Sequence, residues 1–375
     1  MNETTYVQNP FITGQPARGS DFVGRVRLLN RIKRFIDEPD TQNFAVIGKR
    51  RSGKTSLLKK VQDSYRSDEL LILYFNMQKF VDSSLETLLS DIKRRLLKYS
   101  DLPEAIAEKK NLEEFLSTAF KYPVRRILLL FDEFDVVCPG NSEEAPSTVI
   151  AEFANYWLSL TEYTKEKNIP LKSIFASSRN FLRTESLCCY RLLKTCKKGT
   201  LSHLQKSSVY RILGMGDMQF RNDNVLDEFY KLTAGNPYFT QVLAHTLYES
   251  EEVQTGEKIG LRLLWRSMRK ALSSFGYGAA VIWGELTPDE QSILYLITRI
   301  LRKNKRANKE TISEELQKSQ LSLAENKIKS TLNKLEKEKF LKSDKSDNYW
   351  FLSEFFREWV QRSVKKSDLV KQYKA

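Results

Sequence analysis

The sequence has only two histidines, His203 and His245, in 375 residues, and its four cysteines, Cys138, Cys188, Cys189 and Cys196, form no C-x-x-C pair. These scarcities argue against a zinc site and against a disulfide framework, leaving reduced, mostly buried thiols as the reading. No apolar run approaches the ~18 residues that would cross a bilayer. The opening MNETTYVQNP has neither a basic n-region nor an apolar h-region, so a secretory signal is not expected there. The expectation is a cytoplasmic protein with no membrane partner.

Positive charge is what the chain has in excess, with 61 Lys and Arg against 47 Asp and Glu and a formal net charge of +14. From Arg179 to Lys206, seven basic residues face the single Glu185, and from Glu285 onward 20 basic residues face 14 acidic ones. Two readings stand side by side: a surface for nucleic acid or another acidic partner, or the solvated faces of a lysine-rich protein. The length admits two or three domains with cores of their own.

The stretch that organises the chain is FAVIGKRRSGKTSLL, Phe44 to Leu58. The apolar run Phe44-Ala45-Val46-Ile47 leads into Gly48, four residues, then Gly53-Lys54-Thr55, which is the G-x-x-x-x-G-K-[ST] spacing of a phosphate-binding loop. Such a loop needs a buried strand before it and a helix after it, so that backbone N–H groups and the positive helix end converge on an anion. Gly48, Lys49, Arg50, Arg51, Ser52, Gly53, Lys54, Thr55 and Ser56 are therefore the candidate nucleotide cradle. Lys54 is expected to reach the β- and γ-phosphates of ATP, and the Thr55 hydroxyl to ligate Mg²⁺.

A second apolar run, Leu70 to Phe75, reads as another buried strand, and a third, Ile127 to Phe131, ends in Asp132-Glu133-Phe134-Asp135. Asp132 is expected to hold Mg²⁺ and Glu133 to polarise the attacking water; the two carboxylates need different jobs. Asp135 is read as a loop cap. The run from Ile169 to Ala176 ends in Ser177-Ser178-Arg179. Arg179 is either a γ-phosphate sensor or a surface arginine of the basic stretch. Amphipathic segments at Leu28 to Phe35, Leu85 to Tyr99 and Asn111 to Phe120 alternate with these strands, which predicts a three-layer α/β domain with a parallel sheet.

Beyond Ala176 no further strand is expected before the C-terminal part. Helices are predicted over Leu201–Met215, Val225–Ala234 and Tyr238–Glu249. Gly235 suits a helix C′ position, and Asn236 and Pro237 suit the N-cap and first turn of the next helix. Further on, Thr287 and Glu290 make a capping box ahead of Ile293, Leu294, Leu296 and Ile297. A basic loop, RKNKRANK from Arg302, precedes a short helix over Thr311–Leu316 and a longer one over Leu323–Phe340, and two strands around DKSDN form a hairpin. Three helices and a hairpin read as a winged helix-turn-helix. Its third helix offers Lys327, Lys329, Lys334, Lys337 and Lys339 but no arginine for reading guanine, and Glu325, Glu336 and Glu338 interleave with the lysines. Phosphate contact by duplex DNA through Lys303, Lys305, Arg306 and Lys309 and a salt-bridged solvated face are both open.

Taken in order, NPFITGQP, DFVGR, GKRRSGKTSLL, LLLFDEFD, FASSR and LTAGNPYFTQVL resemble the archaeal-ATPase type of STAND P-loop ATPases, relatives of the AAA+ and origin-recognition ATPases. The resemblance runs from about Asn9 to Val360. It implies an α/β P-loop ATPase core over 1–200, an all-α lid over 201–284 and a winged helix over 285–375. It also implies that Gly24 and Arg25 form an adenine-side segment, Arg179 a sensor and Pro237 a lid contact to the nucleotide. The chain departs from it in lacking long sensor repeats and in offering only Arg183 and Arg191 as places for an arginine finger. Three functions follow: an ATP/ADP-driven switch with slow hydrolysis, a protein partner and nucleotide-dependent self-assembly; a DNA-binding initiator or loader; and a scaffold that keeps ATP as a structural ligand.

Overall fold

Each apolar run becomes a strand that is buried on both faces. The computed structural model describes residues 8–99, 111–119, 126–134, 148–178, 188–319, 321 and 323–372. Over these residues the chain forms two compact units, one from Pro16 to Ser202 and one from His203 onward that also takes in the described residues up to Gln15.

The first unit is built as α1 (Val26–Asp37), β1 (Asn43–Ile47), α2 (Lys54–Tyr65), β2 (Leu70–Asn76), α3 (Leu85–Tyr99), α4 (Leu112–Ala119), β3 (Arg126–Asp132), α5 (Thr148–Glu166), β4 (Leu171–Ser177), α6 (Cys188–Thr195) and β5 (Lys197–Thr200). Its five strands form a parallel sheet in the order β2-β3-β4-β1-β5. Alternate residues of β1 to β4 feed two cores, as the pleat requires. Phe44, Val46, Leu128, Leu130 and Ile174 pack with α1 and α2 on one side. Ala45, Ile47, Leu129, Phe131 and Phe175 pack with α3 to α6 on the other. This is the three-layer arrangement expected. Phe131 is the centre of the second core, with ring centroids 5.5 Å from Phe75, 5.2 Å from Phe175 and 5.0 Å from Trp157.

Some elements depart from the sequence reading. The strand β5 has the sequence KKGT, with only Gly199 buried, so no apolar run announces it; it forms because β1 offers an open parallel edge. The long helix α5 between β3 and β4 also has no counterpart in the reading above. Lys172 on β4 closes the end of α1 by donating to the carbonyls of Phe35 (2.6 Å), Thr41 (3.0 Å) and Glu38.

The second unit runs through α7 (Lys206–Leu213), α8 (Asp223–Thr233), α9 (Pro237–Tyr248), α10 (Glu251–Gln254), α11 (Leu261–Phe275) and α12 (Tyr277–Gly284), then α13 (Pro288–Arg302), α14 (Lys309–Ser319), α15 (Ile328–Lys337), the antiparallel pair β6 (Leu341–Ser343) and β7 (Tyr349–Phe351), α16 (Glu354–Ser363) and α17 (Lys366–Gln372). At the α8–α9 corner Gly235 takes φ +68°, and a side chain there would put Cβ 2.2 Å from the Leu204 carbonyl oxygen. Asn236 Oδ1 then accepts from the N–H groups of Tyr238 (2.9 Å) and Phe239 (3.2 Å), capping α9 behind Pro237. The Thr287–Glu290 capping box forms at the start of α13. The chain's opening also lies in this unit. Asn9 donates to the His245 carbonyl at 3.3 Å, His245 Nδ1 meets the Phe11 carbonyl at 3.0 Å, and the buried Phe11 ring stands edge-on to Tyr248 at 5.9 Å. So Asn9 and Phe11 rest on α9, while Gly24 and Arg25 belong to the α/β unit.

The third of the C-terminal helices is shorter than the expected Leu323–Phe340, and three of its expected lysines are engaged. Lys327 pairs with Asp289 (3.3 Å), Lys329 with Asp347 (2.5 Å) and Lys334 with the buried Glu290 (2.9 Å). No described helix is long and apolar enough to cross a membrane.

Candidate nucleotide-binding site

The turn from β1 to α2 is held from several directions. Gly48 N donates to the Ser177 carbonyl on β4 at 3.1 Å, and Ser52 N donates to the Lys49 carbonyl at 3.2 Å. Arg51 (φ 61°) and Gly53 (φ 92°) both take left-handed backbone. Gly53 is the N-cap of α2 and has no side chain to bond the first N–H groups of the helix, so those donors and the positive end of the helix dipole are left to an external acceptor. A Cβ at position 48 would lie 2.6 Å from Ser52 Oγ and 2.9 Å from Leu201 Cβ, so only glycine fits the first position of the loop.

The donor set in the loop fits a phosphate group. The Lys54 ammonium is buried, 5% exposed, and donates to the carbonyls of Gly48 (3.1 Å) and Lys49 (3.3 Å). Ser52 Oγ is buried with no hydrogen-bond partner among the described residues. A buried hydroxyl left unsatisfied costs about 1–3 kcal/mol, and it lies two residues before the buried Lys54 in the same loop. Thr55 is half-buried in the first turn of α2. Ser56 Oγ accepts from Ala17 N at 3.1 Å, which ties the incoming chain to the helix. Gly24 and Arg25 are left-handed at φ 80° and 64°. Arg25 donates to the Ser52 carbonyl at 3.3 Å, and burial pushes its guanidinium down to about 10.

The acidic strand end comes to the same edge of the sheet. Val46 pairs with Ala176 and Phe131 with Phe175, so Asp132 is level with Val46, two strands away at roughly 10 Å of lateral spacing, and Gly48 leaves the same edge of the sheet two residues further along, with β4 between them. Asp132 is 1% exposed. Its Oδ2 accepts from the Tyr74 hydroxyl at 2.7 Å and its Oδ1 from Glu133 N at 3.0 Å. Glu133 follows in a left-handed conformation, φ 52°, and Phe134 N returns to the Ala176 carbonyl at 3.0 Å. This turns the chain sharply at the point where β3 ends. Burial, then the charge and hydrogen bond of Asp132, raise the Tyr74 hydroxyl well above the usual phenol range.

Tyr74 is the member of this site that sequence reading missed. It lies inside the run LLILYF, where the only clue was one polar atom in an otherwise hydrocarbon strand. The Lys59 ammonium lies 3.2 Å from its ring centroid. Burial and the charge of Arg18 lower the Lys59 ammonium, while Asp132 and Asp63 pull the other way. Ser177 and Ser178 at the end of β4 are buried between the two halves of the site. Arg179 and Arg183 lie outside the described residues, and Arg191 is exposed on α6. Pro237 opens α9 in the second unit.

An ATPase domain found predominantly in Archaea matches residues 22–241, more than half of the chain. No curated protein matches. Among solved structures the chain is similar to the Walker-type ATPase of Pyrococcus abyssi, at 16% identity over 94% of this chain and 99% of that one with a TM-score of 0.60. It is also similar to the ORC2 protein of Aeropyrum pernix in its ADPNP–ADP complexes, at 14% identity over 94% of each chain with a TM-score of 0.58. At such identities the likeness is one of fold.

Proposed function

The chain belongs to the family of ATPase domains found predominantly in Archaea, and from that premise we propose that it is an ATP-binding, slowly hydrolysing switch. The observation that carries the proposal is the loop itself: a buried ammonium on Lys54 and, among the described residues, an unsatisfied buried hydroxyl on Ser52 lie in the turn that leads into the uncapped start of α2. In this reading the loop's backbone N–H groups other than those of Gly48 and Ser52, with the side chains of Lys49, Arg50, Arg51, Ser52, Lys54 and Ser56, hold the phosphates. Gly24 and Arg25 flank the adenine. Thr55 and Asp132 hold Mg²⁺, which when bound supplies charge neutralisation between phosphate oxygens. Glu133 accepts a proton from the water that attacks the γ-phosphorus, and ADP leaves with its charge held by Lys54. Arg179 senses the γ-phosphate, and Pro237 carries nucleotide state into a lid over 201–284 and a winged helix over 285–375. The output is a change in what the chain binds, a protein partner or a second copy of itself.

The test is equilibrium binding of ATP and ADP with and without Mg²⁺, together with sedimentation and protease protection in each state. Tight Mg-ATP binding with a state-dependent change in cleavage or mass supports the switch. Binding with no such change and no turnover leaves ATP as a structural ligand and overturns it.

A second reading, duplex-DNA binding, rests on the basic loop between α13 and α14. Tyr349 N donates to the Ala307 carbonyl at 2.7 Å, which pins the loop to the hairpin with Lys305 and Arg306 exposed. Against it, Lys327, Lys329 and Lys334 already meet carboxylates of this chain. Affinity for random duplex DNA that falls steeply with salt, by about 0.9 in the logarithmic slope per phosphate contacted, supports this reading; a flat response removes it.

A further inference from the structure

We propose that Tyr74 is a positioning residue for Asp132, setting the carboxylate that would hold Mg²⁺. The inference rests on the nucleotide reading above and deepens it. Tyr74 pairs with Leu130 in the β2–β3 register, and Asn76 pairs with Asp132. The tyrosine is thus two residues behind the aspartate's partner, on the same face of the sheet. A diagonal cross-strand neighbour at about 7–8 Å between backbones is within reach of a long aromatic side chain, and the Tyr74 hydroxyl closes that gap to 2.7 Å from Oδ2. With Glu133 N on Oδ1 at 3.0 Å, both oxygens of Asp132 have a donor, and two donors fix the plane of a carboxylate where one leaves it free to turn.

The ring that carries the hydroxyl is itself held. Lys59, one helical turn after Thr55 on α2, places its ammonium 3.2 Å from the ring centroid. The helix that starts in the phosphate loop therefore reaches the acidic strand through Tyr74. A purely structural role would only satisfy the hydroxyl of a half-buried tyrosine. A positioning role makes a further demand, because outer partners of a metal-holding carboxylate set its affinity for the ion.

The experiment is Tyr74→Phe, which keeps the ring and its contact with Lys59 and removes only the hydroxyl. A fluorescent ATP analogue is titrated at equilibrium in EDTA and then against Mg²⁺. The expected result is nucleotide affinity in EDTA within about twofold of wild type, and a Mg²⁺ concentration at half-effect raised about tenfold, the low end of the range for outer partners of a metal ligand. In an Asp132→Asn background, Tyr74→Phe should add no further shift. An unchanged Mg²⁺ half-effect, or an equal loss with and without Mg²⁺, overturns the assignment. If wild type binds no nucleotide in either buffer, the nucleotide reading fails, and if it binds nucleotide no better with Mg²⁺ than with EDTA, the Mg²⁺ role of Asp132 and the assignment of Tyr74 both fall, so the two failures are distinguishable.

Discussion

The ammonium of Lys54 lies 3.1 Å from the carbonyl oxygen of Gly48, so the loop is closed by the side chain of its own last residue. A phosphate oxygen offers a charged acceptor in exchange for a neutral carbonyl, and hydrogen bonds to charged groups contribute about 1.5–3 kcal/mol. Lys54→Ala is therefore expected to weaken ATP binding by about tenfold to more than a hundredfold, measured by calorimetry. Unchanged affinity would sink the assignment of the loop.

Gly48 has no room for a methyl group. Its Cβ would stand 2.6 Å from Ser52 Oγ and 2.9 Å from Leu201 Cβ, and Leu201 is fixed to β1 by a hydrogen bond to the Ile47 carbonyl at 2.8 Å. Gly48→Ala is expected to destabilise the protein by about 1–3 kcal/mol, as overpacking does, and to weaken nucleotide binding by displacing the loop. Ser52→Ala in the same chain should recover part of the stability, since it removes one of the two clashes. A melting midpoint equal to wild type for Gly48→Ala would show that the loop moves aside at no cost.

Glu133 follows a carboxylate that is already fully engaged, and its own backbone is left-handed at φ 52°. The side chain thus leaves the strand direction just past Asp132. Glu133→Gln keeps the shape and removes the base. Expected is ATP binding within a few-fold of wild type with turnover lowered about 10²–10⁴-fold, the usual worth of a general base. Residual hydrolysis at the wild-type rate, read as phosphate release, would move the base elsewhere.

The parts legible in the sequence were those decided locally. The strands β1, β2 and β3 are runs of carbon side chains that can only be buried on both faces. The Gly235–Asn236–Pro237 corner and the Thr287–Glu290 box need only residues within one turn of each other. What escaped was decided by distant partners. KKGT becomes β5 because the edge of β1 accepts it, and no residue within it says so. Tyr74 joins the site because register sets it diagonal to Asp132. Lys327, just before α15, and Lys329 and Lys334 on it looked available because Asp289, Asp347 and Glu290, which hold them, come from a different helix and from the hairpin.

Glu315 gives a test in pH of how the C-terminal helices are held together. Its side chain is 9% exposed and takes Lys303 at 2.8 Å and Arg299 at 2.9 Å, joining α14 to α13. The Lys303 hydrogen bond, with the charges of Lys303 and Arg299, holds the carboxyl below its usual range. A carboxyl whose folded value lies below the unfolded value of about 4.3 binds fewer protons folded than unfolded between the two values, so stability rises with pH across that window. The contribution is fully present above about pH 4.3 and is lost as pH falls through the folded value. Lys303 and Arg299 are about half exposed, so solvent and salt screen part of the attraction. Glu315→Gln is accordingly expected to cost about 1–2 kcal/mol at pH 7, near the lower end for hydrogen bonds to charged groups. The difference in urea midpoint between wild type and Glu315→Gln should shrink as pH falls below about 4.3 and vanish once pH is below the folded value, because protonation then makes the two side chains equivalent and all other carboxyls titrate alike in both proteins. A gap that stays undiminished down to the lowest pH at which both proteins fold would place the cost in packing and not in charge.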